Sequence, residues 1–360
     1  DSSAIVATMH DLGVSSIHTF SVSWDEGPEF DESEHINAIV EKYGTTHHHY
    51  VMTDEDFIQC LPEYIRQMDE PVTEAAGVSL YFLSQKAKEH VTVVLSGEGA
   101  DEVFGGYGIY AYTALMELYR LIPKPLRFLI NPLLKKRSEK MAAYVSWTDL
   151  PLEERYFGVN SMPLSLTRSL YSEGLSACLP AQSVTKRFQP YYKETQKQPL
   201  QRKLQYVDLK SWLVDDLLIK ADRMTMAHGL ELRVPFLDHR LLDFSATIPS
   251  HYRLKKGRTK YLLKRSFEGI IPDSILNRQK QGFPTPIARL IRGALADDVK
   301  AKLTSASFQK LGLFQPELVA NELEAFLTQP DYDHRLIWKL YVLALWQDAF
   351  EVVPNEIGRV

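Results

Sequence analysis

Residues 91–108 read VTVVLSGEGADEVFGGYG. The run VTVVL at 91–95 is short, β-branched and bounded by turn residues, so it suits a buried strand better than a helix. Gly97 and Gly99 mark a tight turn, and helix formers resume at Ala100. Residues 96–108 hold five of the 18 glycines and three carboxylates. Glu98, Asp101 and Glu102 fall three and four apart, on one face of a nascent helix. Like charges at that spacing cost about 0.2–0.5 kcal/mol per pair on a solvated helix, and a cation relieves them. A strand, a glycine turn and a helix start also mark the place where ligands gather in a parallel α/β sheet. The segment therefore reads as a handler of metal-bound phosphate. The plainer alternative is an acidic helix N-terminus, which the helix dipole favours by itself.

Upstream, the pattern alternates. Helices are expected over 3–12, 32–43, 54–67 and 78–89, and strands over 17–24, 47–52 and 91–95. Such alternation predicts an α/β fold with a parallel sheet covered by helices on both faces. From residue 110 onward the pattern becomes almost wholly helical, with loops near Pro123, Pro132, Pro151 and Pro163 and a polar loop over 193–203.

Composition narrows the function classes. The chain has 360 residues, 45% of them hydrophobic, enough for a substantial core. No apolar run approaches the roughly 18–20 residues that span a bilayer. A net charge of −5 argues against broad nucleic-acid binding, although Lys135-Lys136-Arg137 is locally basic. Two cysteines, Cys60 and Cys178, make neither a disulfide framework nor a zinc cluster, which fits a reducing cytoplasm. His47-His48-His49 looks like a metal cluster, but adjacent strand residues point to opposite faces and share one ion poorly.

The motif SGEGADEVFGGY at 96–107 resembles the signature of the synthetase domain of glutamine-hydrolysing asparagine synthetases. LELRVPFLDH at 230–239, preceded by KADR at 220–223, is similar to that family's central helical segment, and KGRTK at 256–260 to its late lysine motif. Asp1-Ser2-Ser3 resembles the tail of the family's pyrophosphate loop, with the first strand and the loop's glycines not included. The resemblance implies a PP-loop ATPase core, of the adenine nucleotide α-hydrolase-like type, over residues 1–108. A mainly helical part follows over 109–360. An amino-terminal glutaminase domain would lie outside this chain, and neither Cys60 nor Cys178 fills the role of its terminal nucleophile.

The implied chemistry is ATP-dependent amidation. A carboxylate, aspartate by default, attacks the α-phosphorus to give an acyl-adenylate and pyrophosphate, and ammonia released from glutamine then displaces AMP. By the same resemblance Asp1 and Asp101 hold Mg2+, while Ser2, Ser96 and Gly97 contact ATP. The backbone at Val22 reads adenine; Ser23 stands where a glycine is commoner. Glu98 positions substrate and handles protons, Tyr107 assists it, and Lys260 supplies fixed positive charge.

Plainer readings accompany each assignment. Asp1 before two serines is also a good helix cap, and Lys260 lies in a basic run of the kind that is usually solvated. Asp215-Asp216 and Asp222-Arg223 either line the cleft or fix helix packing, and Glu231, Arg233 and Asp238 read as holding a turn. The alternatives at the level of function are a family member amidating another acid in polysaccharide or natural-product pathways, a non-catalytic nucleotide-binding relative, and a different pyrophosphate-releasing ligase. No nucleic-acid or membrane partner is expected, a homodimer is compatible with the sequence, and the chain expressed alone is expected to be inactive or very weak.

Overall fold

The computed structural model describes residues 1–27, 32–137, 145, 148, 150–159, 167–179, 183–255, 257–278 and 285–352. The opening elements follow the predicted alternation: α1 (Ser2–Asp11), β1 (His18–Trp24), α2 (Ser33–Tyr43), β2 (Thr46–Met52), α3 (Asp54–Met68), α4 (Ala76–Lys88), β3 (Val93–Leu95) and α5 (Ala100–Phe104). Their local causes are visible. Gly44 ends α2 in the left-handed region at φ 62°, and Thr53 with Asp56 closes a capping box at the start of α3.

β1 pairs in parallel with β2 from His18↔Thr46 to Trp24↔Met52. β3 pairs in parallel with β4 (Glu231–Arg233), a strand supplied by the second half of the chain. The expected single sheet is therefore two parallel pairs among the described residues. No ladder joins β1 to β3, and the β3 side chains Val93 and Leu95 remain 48% and 41% exposed.

After α6 (Gly108–Arg120) helices dominate, with two corrections to the sequence reading. Pro132 lies inside the helix Lys124–Arg137 and does not mark a loop; proline removes one N–H donor, and the helix continues past that gap. The loop expected over 193–203 narrows to residues 195–199, because Ser183–Glu194 and Leu200–Lys210 run into it from both sides. The helix Leu200–Lys210 is held by a buried face that includes Leu204 and Val207. The loop expected near Pro163 lies outside the described residues.

Three buried clusters result. The largest joins Val22, Trp24 and Met52 at the ends of β1 and β2 to α3, to α4 and to the helix Arg335–Ala349. A second packs α1 against α5 and Phe236. The third surrounds Tyr110, Tyr156, Leu204 and Val207; beside it Tyr110 and Tyr156 both donate hydrogen bonds to the buried Asp208, at 2.6 and 2.5 Å. No described helix is long and apolar enough to cross a membrane.

The entry to α4 depends on one contact. Tyr64, fully buried on α3, sets its hydroxyl 2.9 Å from the Val72 carbonyl and 3.2 Å from that of Glu74. A β-carbon on Gly77 would overlap the Tyr64 ring. Gly77→Ala is expected to destabilise the fold by about 1–3 kcal/mol through overpacking. Urea denaturation checks this, and an unchanged midpoint would contradict the packing described.

Candidate active site

The glycine turn draws the start of α1 onto the end of β3. A β-carbon on Gly97 would lie 2.7 Å from the Asp1 β-carbon and 3.0 Å from the Ser2 nitrogen, so only glycine allows this approach. Asp1 thereby faces Asp101 on α5. Between them stands the Lys260 ammonium, 2.8 Å from Asp101 Oδ1 and also bonded to Asp1 Oδ2. Lys260 is 6% exposed, so the basic run around it is not a solvated patch at this position.

The backbone is bent to place this lysine. Lys260 adopts φ 50°, ψ 35° just before the helix Tyr261–Ser266, a left-handed conformation rare for a side-chain-bearing residue. Its N–H donates to the Gly105 carbonyl at 3.3 Å. Any side chain at Gly106 would overlap Asp101 Oδ1 and Lys260 Cε. Burial lowers the Lys260 pKa, against the opposing pull of Asp101 and Glu102.

Glu98 is set apart from this ion cluster. One carboxylate oxygen is buried without a hydrogen-bond partner, and desolvation pushes the pKa up to about 7, opposed by nearby Lys220 and reinforced by Glu102 and Asp216. Burial likewise raises the pKa of Glu102. Tyr107 donates to Glu102 Oε1 at 2.6 Å and accepts from Trp212 Nε1 at 3.3 Å, so Glu102, not Glu98, is its carboxylate partner. Burial and Glu102 raise the Tyr107 pKa, which keeps its hydroxyl protonated and a donor. Asp216 is pushed up to about 6 by burial.

The other expected residues divide. Ser96 lies in the turn, its hydroxyl accepting from the Glu98 N–H at 3.3 Å. Ser2 opens α1 beside Gly97. Val22 belongs to β1 and turns its side chain into the core, while Ser23 hydrogen-bonds His49 at 2.8 Å. The histidines split by face: His47 meets Thr19 and Ser21, whereas His48 stacks on Phe20 and meets His18 at 3.0 Å. Asp238 caps the helix His239–Thr247, and Glu231 and Arg233 form an ion pair along β4. Arg223 donates to the Met68 carbonyl. Lys256 lies outside the described residues.

Sequence reasoning placed Glu102 only within the acidic triplet, gave Lys220 no role of its own and left Asp216 undecided. The signal for Lys220 is its place on the buried face of the helix Ile219–Met226, beside Ala221 and Met224. A buried lysine requires a carboxylate partner, and two stand near it. Asp216 and Trp212 occupy a π-helical stretch, Trp212–Leu218, of the kind often found at functional sites. Both line a cavity of about 560 Å3.

Comparison with known proteins identifies the family. The profile of the Asparagine synthase family matches residues 1–348. The chain is 33% identical over 364 residues to asparagine synthetase [glutamine-hydrolyzing] 1 of Bacillus subtilis, covering all of this chain and 56% of the relative. It is 36% identical over 344 residues to a putative asparagine synthetase [glutamine-hydrolyzing] of Mycobacterium bovis, covering 94% of this chain and 52% of that protein. The asparagine synthetase [glutamine-hydrolyzing] of Gallus gallus is 27% identical over 76% of the chain. The chain spans about half the length of the first two relatives. A profile match over nearly every residue and one-third identity along the whole chain make this protein a member of the asparagine synthase family, with the PP-loop ATPase type of α/β fold.

Proposed function

We propose that this chain is the synthetase part of an ATP-dependent amide ligase that activates a carboxylate as its acyl-adenylate. The observation that carries the reading is the meeting of Asp1, Asp101 and Lys260 at the end of a turn that also carries Glu98, a carboxylate held near neutral pKa. In the first step an acceptor carboxylate oxygen bonds to the α-phosphorus, and the bond to the β-phosphate breaks as pyrophosphate leaves with its electron pair. Ammonia then attacks the acyl carbon, and AMP leaves with the carboxyl oxygen's electrons. The names of the relatives point to aspartate as acceptor and glutamine as the source of ammonia.

Each residue meets a demand of that chemistry. Asp1 and Asp101 turn hard oxygen donors toward one cation, so the donor set fits magnesium, which when bound would neutralise charge on the departing phosphates. Gly97 and Ser96 bring the backbone of the turn toward the start of α1, where phosphate is favoured. Lys260 opposes charge on the α-phosphate and the tetrahedral oxyanion. Glu98 takes the proton that the attacking nitrogen sheds, and Tyr107 fixes Glu102 behind it. Pyrophosphate release by the complete protein, dependent on an added acid and on ammonium, tests the reading. Its absence with every acid would reject it.

Glu98→Gln is expected to lower amide formation by about 10²-fold or more. The wild-type rate should rise with pH through about 7 as Glu98 ionises. Stability moves the opposite way: the folded pKa lies above the ordinary 4.5, so the native state gains from protonation below that value and loses the gain as pH rises to about 7. Glu98→Gln should therefore match wild type near pH 4 and exceed it by roughly 3 kcal/mol above pH 7. Denaturation at the two pH values checks the sign.

Lys260→Met leaves Asp1 and Asp101 facing each other without a cation. Without divalent ions the variant should lose about 3–5 kcal/mol of stability. Added Mg2+ should raise its melting temperature more than that of wild type. Equal metal responses in the two proteins would contradict the shared-carboxylate site.

A further inference from the structure

One stretch of the helical half keeps its charges apart from those of the rest of the chain. Residues 118–137, LYRLIPKPLRFLINPLLKKR, hold six cations and no carboxylate, although the whole chain carries a net charge of −5. The stretch closes α6, turns at Pro123 and forms the helix Lys124–Arg137. That helix is fastened by its inner side: the buried Arg127 guanidinium lies 5.7 Å from the centre of the Tyr119 ring, and the Tyr119 hydroxyl donates to Asn131. Leu126, Leu129 and Leu133 follow one another at three and four residues, so they form a stripe directed away from Arg127 and Asn131. With Leu121 and Phe128 they are between 52% and 79% exposed, an apolar face of the kind that marks an interaction surface. Lys124 lies exposed at the start of the helix, and Lys135, Lys136 and Arg137 end it.

We propose that this helix lies flat on an anionic lipid surface, with the leucine stripe and Phe128 among the upper acyl chains and the terminal cations among the headgroup phosphates. An apolar face bounded by lysine and arginine is the pattern that settles between headgroups and acyl chains, and each cation near an anionic surface adds attraction. At 14 residues, about 21 Å, the helix is too short to span the hydrocarbon but long enough to lie on it. A second copy of the chain fits this face less well. Two-fold pairing of the helices, parallel or antiparallel, sets basic ends against basic ends, and lysine is depleted at protein interfaces. The expectation of no membrane partner rests on the lack of a spanning run, which does not address one helix lying on a surface.

The test floats the complete protein with vesicles of equal parts phosphatidylglycerol and phosphatidylcholine, and with vesicles of phosphatidylcholine alone. Binding to the anionic vesicles should be tighter by about tenfold or more and should weaken as salt is raised. The double variant Leu129→Glu/Leu133→Glu, changed at outward positions, should lose about tenfold or more in affinity for them while keeping the wild-type urea midpoint. Phe128→Trp should add an indole emission that moves to shorter wavelength on anionic vesicles. Absence of vesicle binding, equal binding to both vesicle types, or a double variant that binds as wild type does would overturn the proposal. A complete protein that sediments as a dimer and becomes a monomer on Leu129→Glu/Leu133→Glu also overturns it, because a second copy then covers the face. If the double variant loses the wild-type urea midpoint, the Phe128→Trp spectrum decides: a shift on anionic vesicles supports the proposal and an unmoved emission rejects it.

Discussion

A buried ammonium between two carboxylates organises this molecule. Lys260, Asp1 and Asp101 come from positions far apart in the chain; Lys260 and Asp101 are buried, and each of those two is costly to bury without a partner. The cluster pins the start of α1, the first turn of α5 and the left-handed residue before Tyr261–Ser266 to one point. Because an unpaired charge there costs several kcal/mol, the three segments tolerate little independent displacement. The same arrangement turns two acidic oxygens toward one cation, here the Lys260 ammonium.

The helical half acts on α5 through its backbone. Gln205 donates to the Glu102 carbonyl at 2.7 Å and Arg253 to that of Val103 at 2.7 Å, so the last carbonyls of this short helix find partners on distant helices. Five residues do not hold a helix in isolation. The second half thus fixes the orientation of Asp101 and Glu102, besides supplying β4, Lys260 and the Trp212 wall. The glycine turn at 97–99 and the helices of the second half are two sides of one packed unit.

Much of the site was legible because it is local. The glycine spacing of 96–108 foretold a strand, a turn and a short helix, and all three are present. By composition Lys260 was one cation in a basic run, and only its motif singled it out; what separates it physically from its neighbours is burial, which sequence does not print. The pairing of Tyr107 with Glu102 instead of Glu98 depends on where α5 directs its side chains after the left-handed turn at Gly99. Lys220 went unassigned and Asp216 stayed undecided because Glu98, which both face, lies more than a hundred residues away, on the β3 turn.

The amino-acid sequence alone determined the α/β alternation of the first hundred residues and the helical character of the rest. Strand and helix periods, caps and glycine turns act over a few residues and need no distant partner. Tertiary structure decided which carboxylate stays near neutral pKa, which lysine is buried, and what lines the cavity. Those properties depend on desolvation and on charges brought together from remote segments, and they arise only when the chain packs.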